Sequence, residues 1–270
     1  MSRVTRHAVM FGSRRVSYLE AGDPDGRVVI VLHAFPLTAE MWSPQLAAPP
    51  PGWRLIAPDL AGLGGTDDHD GVSAGLDDYA ADVVALLDRL KIPRAHVAGL
   101  SLGGYVTLAV TRLAPERVDG LVLADTKAPA DNTEQRAARD RLLDTLEAGG
   151  PEAVAAEMLP RLVGQTTARE QPQLVAQIRS QIALNPVPGL RRAIRRLRSR
   201  PDATPGLAAI TAPTLVIVGD EDVLTPPGDA GFLAQHIPGA QLETVTGAGH
   251  LSNLERPEAF TRVLTRFLAP

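Results

Sequence analysis

At 270 residues, with 44% apolar and 21% charged side chains, the chain can bury a substantial core in one domain carrying an insertion. A net charge of −4 argues against a nucleic-acid partner, and the absence of cysteine excludes disulfides, thiolate metal sites and a cysteine nucleophile. Residues 1–20 lack the apolar run of a secretory signal, and no apolar stretch approaches the roughly 20 residues that span a bilayer, so a cytoplasmic protein without a membrane partner is expected.

Residues 8–10 and 15–20, separated by Gly12-Ser13, read as an opening hairpin. Residues 28–32 (VVIVL) form a continuous apolar run, the mark of a strand buried on both faces. Residues 53–57 predict another short strand, stopped by Pro58. Residues 76–90 carry apolar side chains at 76, 79, 80, 83, 86, 87 and 90, a helical spacing that Pro93 ends. A strand at 95–99, a helix at 103–113 and a strand over Val118–Ala124 follow. From about 126 to 205 only helical periodicity remains, broken at Gly149-Gly150-Pro151, Pro172 and residues 186–189. Alternation resumes with a strand over Thr214–Gly219, a helix at 228–235, a strand over Gln241–Val245 and a helix over Pro257–Leu268. The pattern predicts an α/β fold: a mostly parallel sheet flanked by helices, built from residues 1–125 and 206–270, with residues 126–205 as a helical cap over its C-terminal edge.

The cap segment carries 13 basic against 9 acidic residues, a net +4, in a chain that is otherwise acidic. Arg191, Arg192, Arg195, Arg196, Arg198 and Arg200 alternate with Leu190, Ile194 and Leu197. They read as the solvated face of an amphipathic helix, or, in a sharper reading, as the source of one inward arginine that binds an anionic substrate.

Gly99-Leu100-Ser101-Leu102-Gly103 joins a strand to a helix, the setting of a G-x-S-x-G nucleophile elbow. Side chains two residues before and two after the serine would collide on so tight a turn, which is why Gly99 and Gly103 stand there. A serine hydroxyl needs a base, and His250, in a glycine-flanked loop after the strand Gln241–Val245, is the candidate. The imidazole needs a carboxylate. Asp222, after the strand Thr214–Gly219, is preferred, with Asp220 and Asp125 as rivals; the order Ser101, Asp222, His250 suits this fold. Oxyanion donors are expected from the Leu102 N–H and from the loop after residues 28–32, at the Phe35 N–H, with His33 holding that loop. The six histidines form no ligand-spaced cluster, so neither a metal nor a cofactor is expected.

With these residues in place the chain resembles the α/β-hydrolase superfamily, and within it the small carboxylesterase and 3-oxoadipate enol-lactonase-like branch. The likeness runs through HAFPLTAEMW, PDLAGLGGTD, GLSLGGY, LVLADT, PTLVIVGDEDVLTPP and GAGHLSNLERPE, and the cap stretches AAEMLPRLVG and RSRPDATPGLAAI fit the same branch. It implies an acid three residues after the strand-ending Gly219, at Asp222, and oxyanion donors at Phe35 and Leu102. Two departures stand out. Ala34 replaces the usual glycine after His33, which would carry strain if its φ were positive. The loop at residues 61–66 replaces the usual Arg-Gly-His-Gly-x-Ser pattern and is expected to serve only as a turn.

The function expected is hydrolysis of small carboxylic esters with short acyl chains through a Ser-Asp-His triad and an acyl-enzyme. The alternative is a lactonase for a carboxylate-bearing enol-lactone, which would need a cation in the pocket. A perhydrolase-like side reaction and a non-enzymatic ligand receptor on the same fold complete the field, and oligomeric state is left open. Dehalogenase and epoxide hydrolase chemistry is set aside, because those relatives carry aspartate where Ser101 stands.

Overall fold

A computed structural model describes residues 3–69 and 75–269. Eight strands form one sheet: β1 (Thr5–Phe11), β2 (Arg14–Gly22), β3 (Arg27–Leu32), β4 (Trp53–Pro58), β5 (Ala95–Leu100), β6 (Val118–Ala124), β7 (Thr214–Gly219) and β8 (Gln241–Val245). Their order is β1-β2-β4-β3-β5-β6-β7-β8, with β2 antiparallel to both neighbours and every later pairing parallel. The opening hairpin turns at Gly12, whose φ of 60° suits glycine. Strands β5 and β7 are buried along their whole length, and the apolar run at residues 28–32 is buried in β3 from Val29 to Leu32.

Helices α1 (Ser43–Ala47), α2 (Leu76–Arg89), α3 (Leu102–Leu113) and α8 (Pro227–His236) make the crossovers, and α9 (Ser252–Glu255) and α10 (Pro257–Leu268) close the chain. The chain steps from β3 outward to β4, then crosses back to β5. Right-handed crossovers in opposite directions put α1 on one face and α2, α3 and α8 on the other. Trp42 packs on Phe260 of α10 with ring centroids 5.8 Å apart, which joins α10 to the α1 side. The loops leaving β3 and β5 therefore diverge at the C-terminal ends of the strands, the topological switch point at which open α/β sheets bind ligands in a crevice.

Between β6 and β7 lies the helical insertion: α4 (Thr133–Leu162), α5 (Gln165–Glu170), α6 (Pro172–Ala183) and α7 (Val187–Arg198). Asn132 starts α4 with a reciprocal cap, accepting the Gln135 N–H at 2.9 Å while its own N–H bonds the Gln135 side chain at 3.0 Å. Gly150, at φ 68°, breaks α4 where the Gly-Gly-Pro signal stands. Pro172 opens α6 and Pro186 precedes α7, again as the sequence predicts. The break at Val163-Gly164 is not marked by any proline.

The arginines of this run follow the first reading for the most part: Arg195 and Arg198 are exposed and Arg191 and Arg192 half-buried, opposite buried Leu190, Ile194 and Leu197. Two of them do turn inward, but each meets a carboxylate of this chain. Arg196, 1% exposed, lies 3.2 Å from Asp68 and donates to the Tyr79 hydroxyl at 3.0 Å. Arg200, just past the helix, pairs with buried Asp131 at 2.9 Å and stacks 4.1 Å from the Tyr105 ring centroid. Arg191 and Arg198 pair at the surface with Glu147 and Asp140. Buried charge needs such partners: Arg196 fastens α7 to the loop after β4 and to α2, while Arg200 joins the two ends of the insertion to each other and lies on Tyr105 of α3.

The loop at residues 61–66 also does more than turn. Gly62 and Gly64 have positive φ, and a Cβ on Gly189 of α7 would overlap the Gly62 carbonyl. Glycine at both places lets the insertion seat directly on this loop. No helix among the described residues is long and apolar enough to cross a membrane.

Candidate active site

Ser101 sits between β5 and α3 at φ 54°, ψ −109°, a region that side-chain-bearing residues rarely occupy. The turn is over-determined. The Ser101 N–H donates to the Ala124 carbonyl at 2.9 Å, and the Ser101 carbonyl accepts from Tyr105 N–H at 3.1 Å and Thr126 Oγ1 at 2.9 Å. The steric reason expected for the flanking glycines is visible atom by atom. A Cβ on Gly99 would overlap the Gly103 carbonyl and come within 2.5 Å of Thr107 Oγ1, and one on Gly103 would overlap the Leu32 carbonyl. Gly99→Ala is expected to cost about 3 kcal/mol of stability, since the obstacle is backbone that cannot swing aside. Urea unfolding measures it; a midpoint unchanged from wild type would contradict this packing.

Asp222 and His250 are brought together. His250 Nδ1 lies 2.8 Å from Asp222 Oδ2, and both side chains are almost wholly buried. The carboxylate is itself held: Oδ1 accepts the N–H groups of Leu224 at 2.8 Å and Thr225 at 3.1 Å, and Oδ2 accepts Thr225 Oγ1 at 2.8 Å. Burial pushes the Asp222 carboxyl up, but His250 and the Thr225 donors outweigh it and leave the acid below its ordinary range. Burial likewise pushes the His250 imidazole down, and Asp222, with help from Asp125 and Glu255, reverses this and holds it above the ordinary histidine value.

The rival acids are engaged elsewhere. Asp220 accepts the Gly247 N–H at 2.7 Å. Asp125, fully buried at φ 44°, accepts the Gly219 N–H at 2.9 Å and hydrogen-bonds the Ser252 hydroxyl. Burial, reinforced by nearby Asp222, pushes its carboxyl up to about 8. A carboxyl whose folded pKa exceeds its unfolded value of about 4 makes the fold lose stability as pH climbs from there to the folded pKa, because only the unfolded chain ionises freely. Asp125→Asn, neutral at every pH, should therefore gain on wild type between pH 4 and 8 and keep that gain above. Urea unfolding at pH 5, 7 and 9 tests this, and a difference independent of pH would refute it.

The loop after β3 carries His33, Ala34 and Phe35, followed by a cis Phe35–Pro36 peptide. His33 is buried; its Nε2 accepts the Leu60 N–H at 2.9 Å and its Nδ1 lies 3.0 Å from the Ala34 carbonyl. Burial pushes its pKa down, so it stands as a neutral strut between the loops after β3 and β4. Ala34 is not among the residues with positive φ, so alanine carries no strain there. The Phe35 N–H makes no backbone hydrogen bond among the described residues, and Leu102, first in α3, has no acceptor within its helix. Two unpaired donors thus stand at the ends of β3 and β5, on either side of the crevice.

Several residues at this edge escaped the sequence reading. Thr225 has a local signal, since Asp-x-x-Thr is a self-capping turn. Asn185, between α6 and α7, donates to the Pro36 carbonyl at 2.9 Å and accepts the Gly64 N–H at 3.1 Å. Glu221 accepts the Thr166 N–H at 2.8 Å. Both contacts depend on how the insertion lies on the core, which periodicity does not encode. Among the described residues, no group of three or more histidine or acidic side chains is placed to hold a metal ion.

Sheet order, the strained serine turn and the Asp–His pair define an α/β-fold hydrolase, and residues 27–257 match the alpha/beta hydrolase fold family, to which the chain belongs. It is similar to 3-oxoadipate enol-lactonase 1 of Acinetobacter baylyi, at 28% identity over 97% of both chains. Among solved structures it is similar to a malate-bound thermophilic esterase from Thermogutta terrifontis, with a TM-score of 0.89 and 33% identity over 98% of both chains. The enol-lactonase from Burkholderia xenovorans LB400 superimposes equally well, with a TM-score of 0.89 at 27% identity, covering 97% of this chain and 99% of that one.

Proposed function

We propose that the protein is a serine hydrolase of carboxylic esters with short acyl chains, working without a cofactor, and that the helical insertion caps its site. The observation that carries this reading is the Asp222–His250 pair, 2.8 Å apart, at the same sheet edge as the strained Ser101 turn. In this mechanism Asp222 holds the Nδ1 proton of His250, which leaves Nε2 to take the proton of Ser101 Oγ as that oxygen attacks the ester carbonyl. The tetrahedral oxyanion is received by the N–H groups of Phe35 and Leu102. His250 returns the proton to the departing alcohol. Water then attacks the acyl-enzyme by the same route, with His250 again as base, and releases the acid and the free serine.

A second reading, hydrolysis of a carboxylate-bearing lactone, is favoured by the enol-lactonase relatives and by the malate bound to the related esterase. The same triad would serve it. The pairing of Arg196 and Arg200 with Asp68 and Asp131 speaks for neutral substrates, because those charges are already matched. p-Nitrophenyl esters from acetate to laurate, set against a carboxylate-bearing enol-lactone, test the choice. Neutral short esters turning over faster support the first reading. A clear preference for the acid-bearing lactone supports the second, and Ser101-independent or absent turnover of both defeats the two together.

A further inference from the structure

Glu255 is a carboxylate buried to 1% exposure with no salt-bridge partner among the described residues. Three backbone donors converge on it. Oε2 accepts the N–H of Gly249 at 3.0 Å and that of Gly164 at 2.8 Å, and Oε1 accepts the N–H of Leu251 at 3.0 Å. Gly249 and Leu251 are the two neighbours of His250, and Gly164 belongs to the insertion, at the break between α4 and α5. Hydrogen bonds to a charged acceptor are about twice as strong as neutral ones, so this junction is stiff.

The surroundings repeat the theme. A Cβ on Gly164 would come within 2.8 Å of the Gly249 N atom, so insertion and histidine loop are in direct backbone contact. The Glu255 carbonyl accepts Gln171 Nε2, at the start of α6, at 3.2 Å, and Arg256 reaches Thr167 of α5 at 3.4 Å. Two residues beyond Gly164, Thr166 is tied through its N–H and its hydroxyl to Glu221, the residue beside Asp222. One short stretch of the insertion is thus fastened to the loops of both the acid and the base.

We propose that Glu255 is a positioning residue for His250: it grips the backbone on both sides of the imidazole and binds that grip to Gly164, so that seating the insertion and aiming the base are one event. The inference rests on the proposed role of His250 and adds to it how the base is held. Glu255 also contributes charge. The groups facing His250 are Asp222 from the loop after β7, Asp125 from the end of β6 and Glu255 from α9; Asp222 and Glu255 favour the imidazolium as carboxylates, and Asp125 does so only where it is ionised.

The test uses the full chain and two variants. In Glu255→Gln the charge is lost and one arm of the grip becomes a donor facing an N–H. kcat for p-nitrophenyl acetate should fall about 10-fold or more with KM little changed. The His250 imidazole, followed by NMR, should titrate about half a unit or more below wild type, and the acid limb of kcat/KM should move with it. Thr166→Val, at a partly exposed site, leaves Glu255 in place but loosens the insertion; amide exchange at Gly249 and Leu251 should quicken several-fold. A drop in kcat with His250 titrating as in wild type would mark a merely structural residue and overturn the proposal, as would unchanged exchange in Thr166→Val. That second variant decides alone if Glu255→Gln does not fold. Neither NMR titration nor exchange needs turnover, so a wild type without esterase activity defeats the proposed function while leaving this inference to its own readouts.

Discussion

Ser101→Ala is expected to lower kcat/KM for p-nitrophenyl acetate by about four orders of magnitude or more while the protein stays folded. The size of the loss follows from the chemistry: without the hydroxyl there is no covalent route, and only the oxyanion donors and substrate binding remain to speed attack by water. The backbone adds a second, independent signature. Ser101 is held at φ 54°, ψ −109°, a conformation that strains any residue with a Cβ. Ser101→Gly should remove both nucleophile and strain, so it is expected to be equally inactive yet more stable than wild type by about 1 kcal/mol, or about 2–4 °C in Tm. Fluorophosphonate labelling and thermal melts of the two variants supply the measurements. Residual labelling in Ser101→Ala would move the nucleophile elsewhere.

Asp222→Asn should be nearly as damaging, lowering kcat by about four orders of magnitude, because asparagine fixes the wrong tautomer of His250. Its pH dependence is more telling. In the wild type the imidazole is held above its ordinary value, so the base is protonated, and kcat/KM suppressed, until pH rises past that raised value. Without Asp222 the burial of His250 is no longer outweighed, and the residual activity should persist to lower pH. Stability carries the opposite sign for the acid. Asp222 ionises more readily folded than unfolded, so its contribution is present above its unfolded pKa of about 4 and is lost as pH falls through the depressed folded value. An acid limb that stayed in place in Asp222→Asn would show that another carboxylate orients the histidine.

What the sequence made legible is what chain-local physics controls. β5, Ser101 and α3 could be read because a strand, a strained turn and a helix start each leave a local mark, and Gly99 and Gly103 are where backbone leaves no room. The preference for Asp222 over Asp220 and Asp125 drew on the family resemblance, which implies an acid three residues after Gly219, whereas its pairing with His250 follows from the two loops ending neighbouring strands, β7 and β8. Glu255, Asn185 and the fate of Arg196 were not legible. Each involves a contact between segments tens of residues or more apart in sequence, and although two of the N–H groups on Glu255 are local, a glutamate buried against Gly164 looks, in a string of letters, like any surface glutamate. The arginine run shows the same limit from the other side: its helical spacing was plain, but which two positions would meet Asp68 and Asp131 depends on the angle at which α7 lies.

Asn185 has a bearing on how such enzymes diverge. Its side chain fastens the insertion to the loops after β3 and β4, while Gly164 and Thr166 fasten it to those after β7 and β8. A segment moored at both ends of the crevice is free to vary only between its moorings. Substrate preference could then be transplanted among relatives by exchanging the stretches between these three positions, whereas an exchange that crosses them would bring in a new pocket together with a misaligned base.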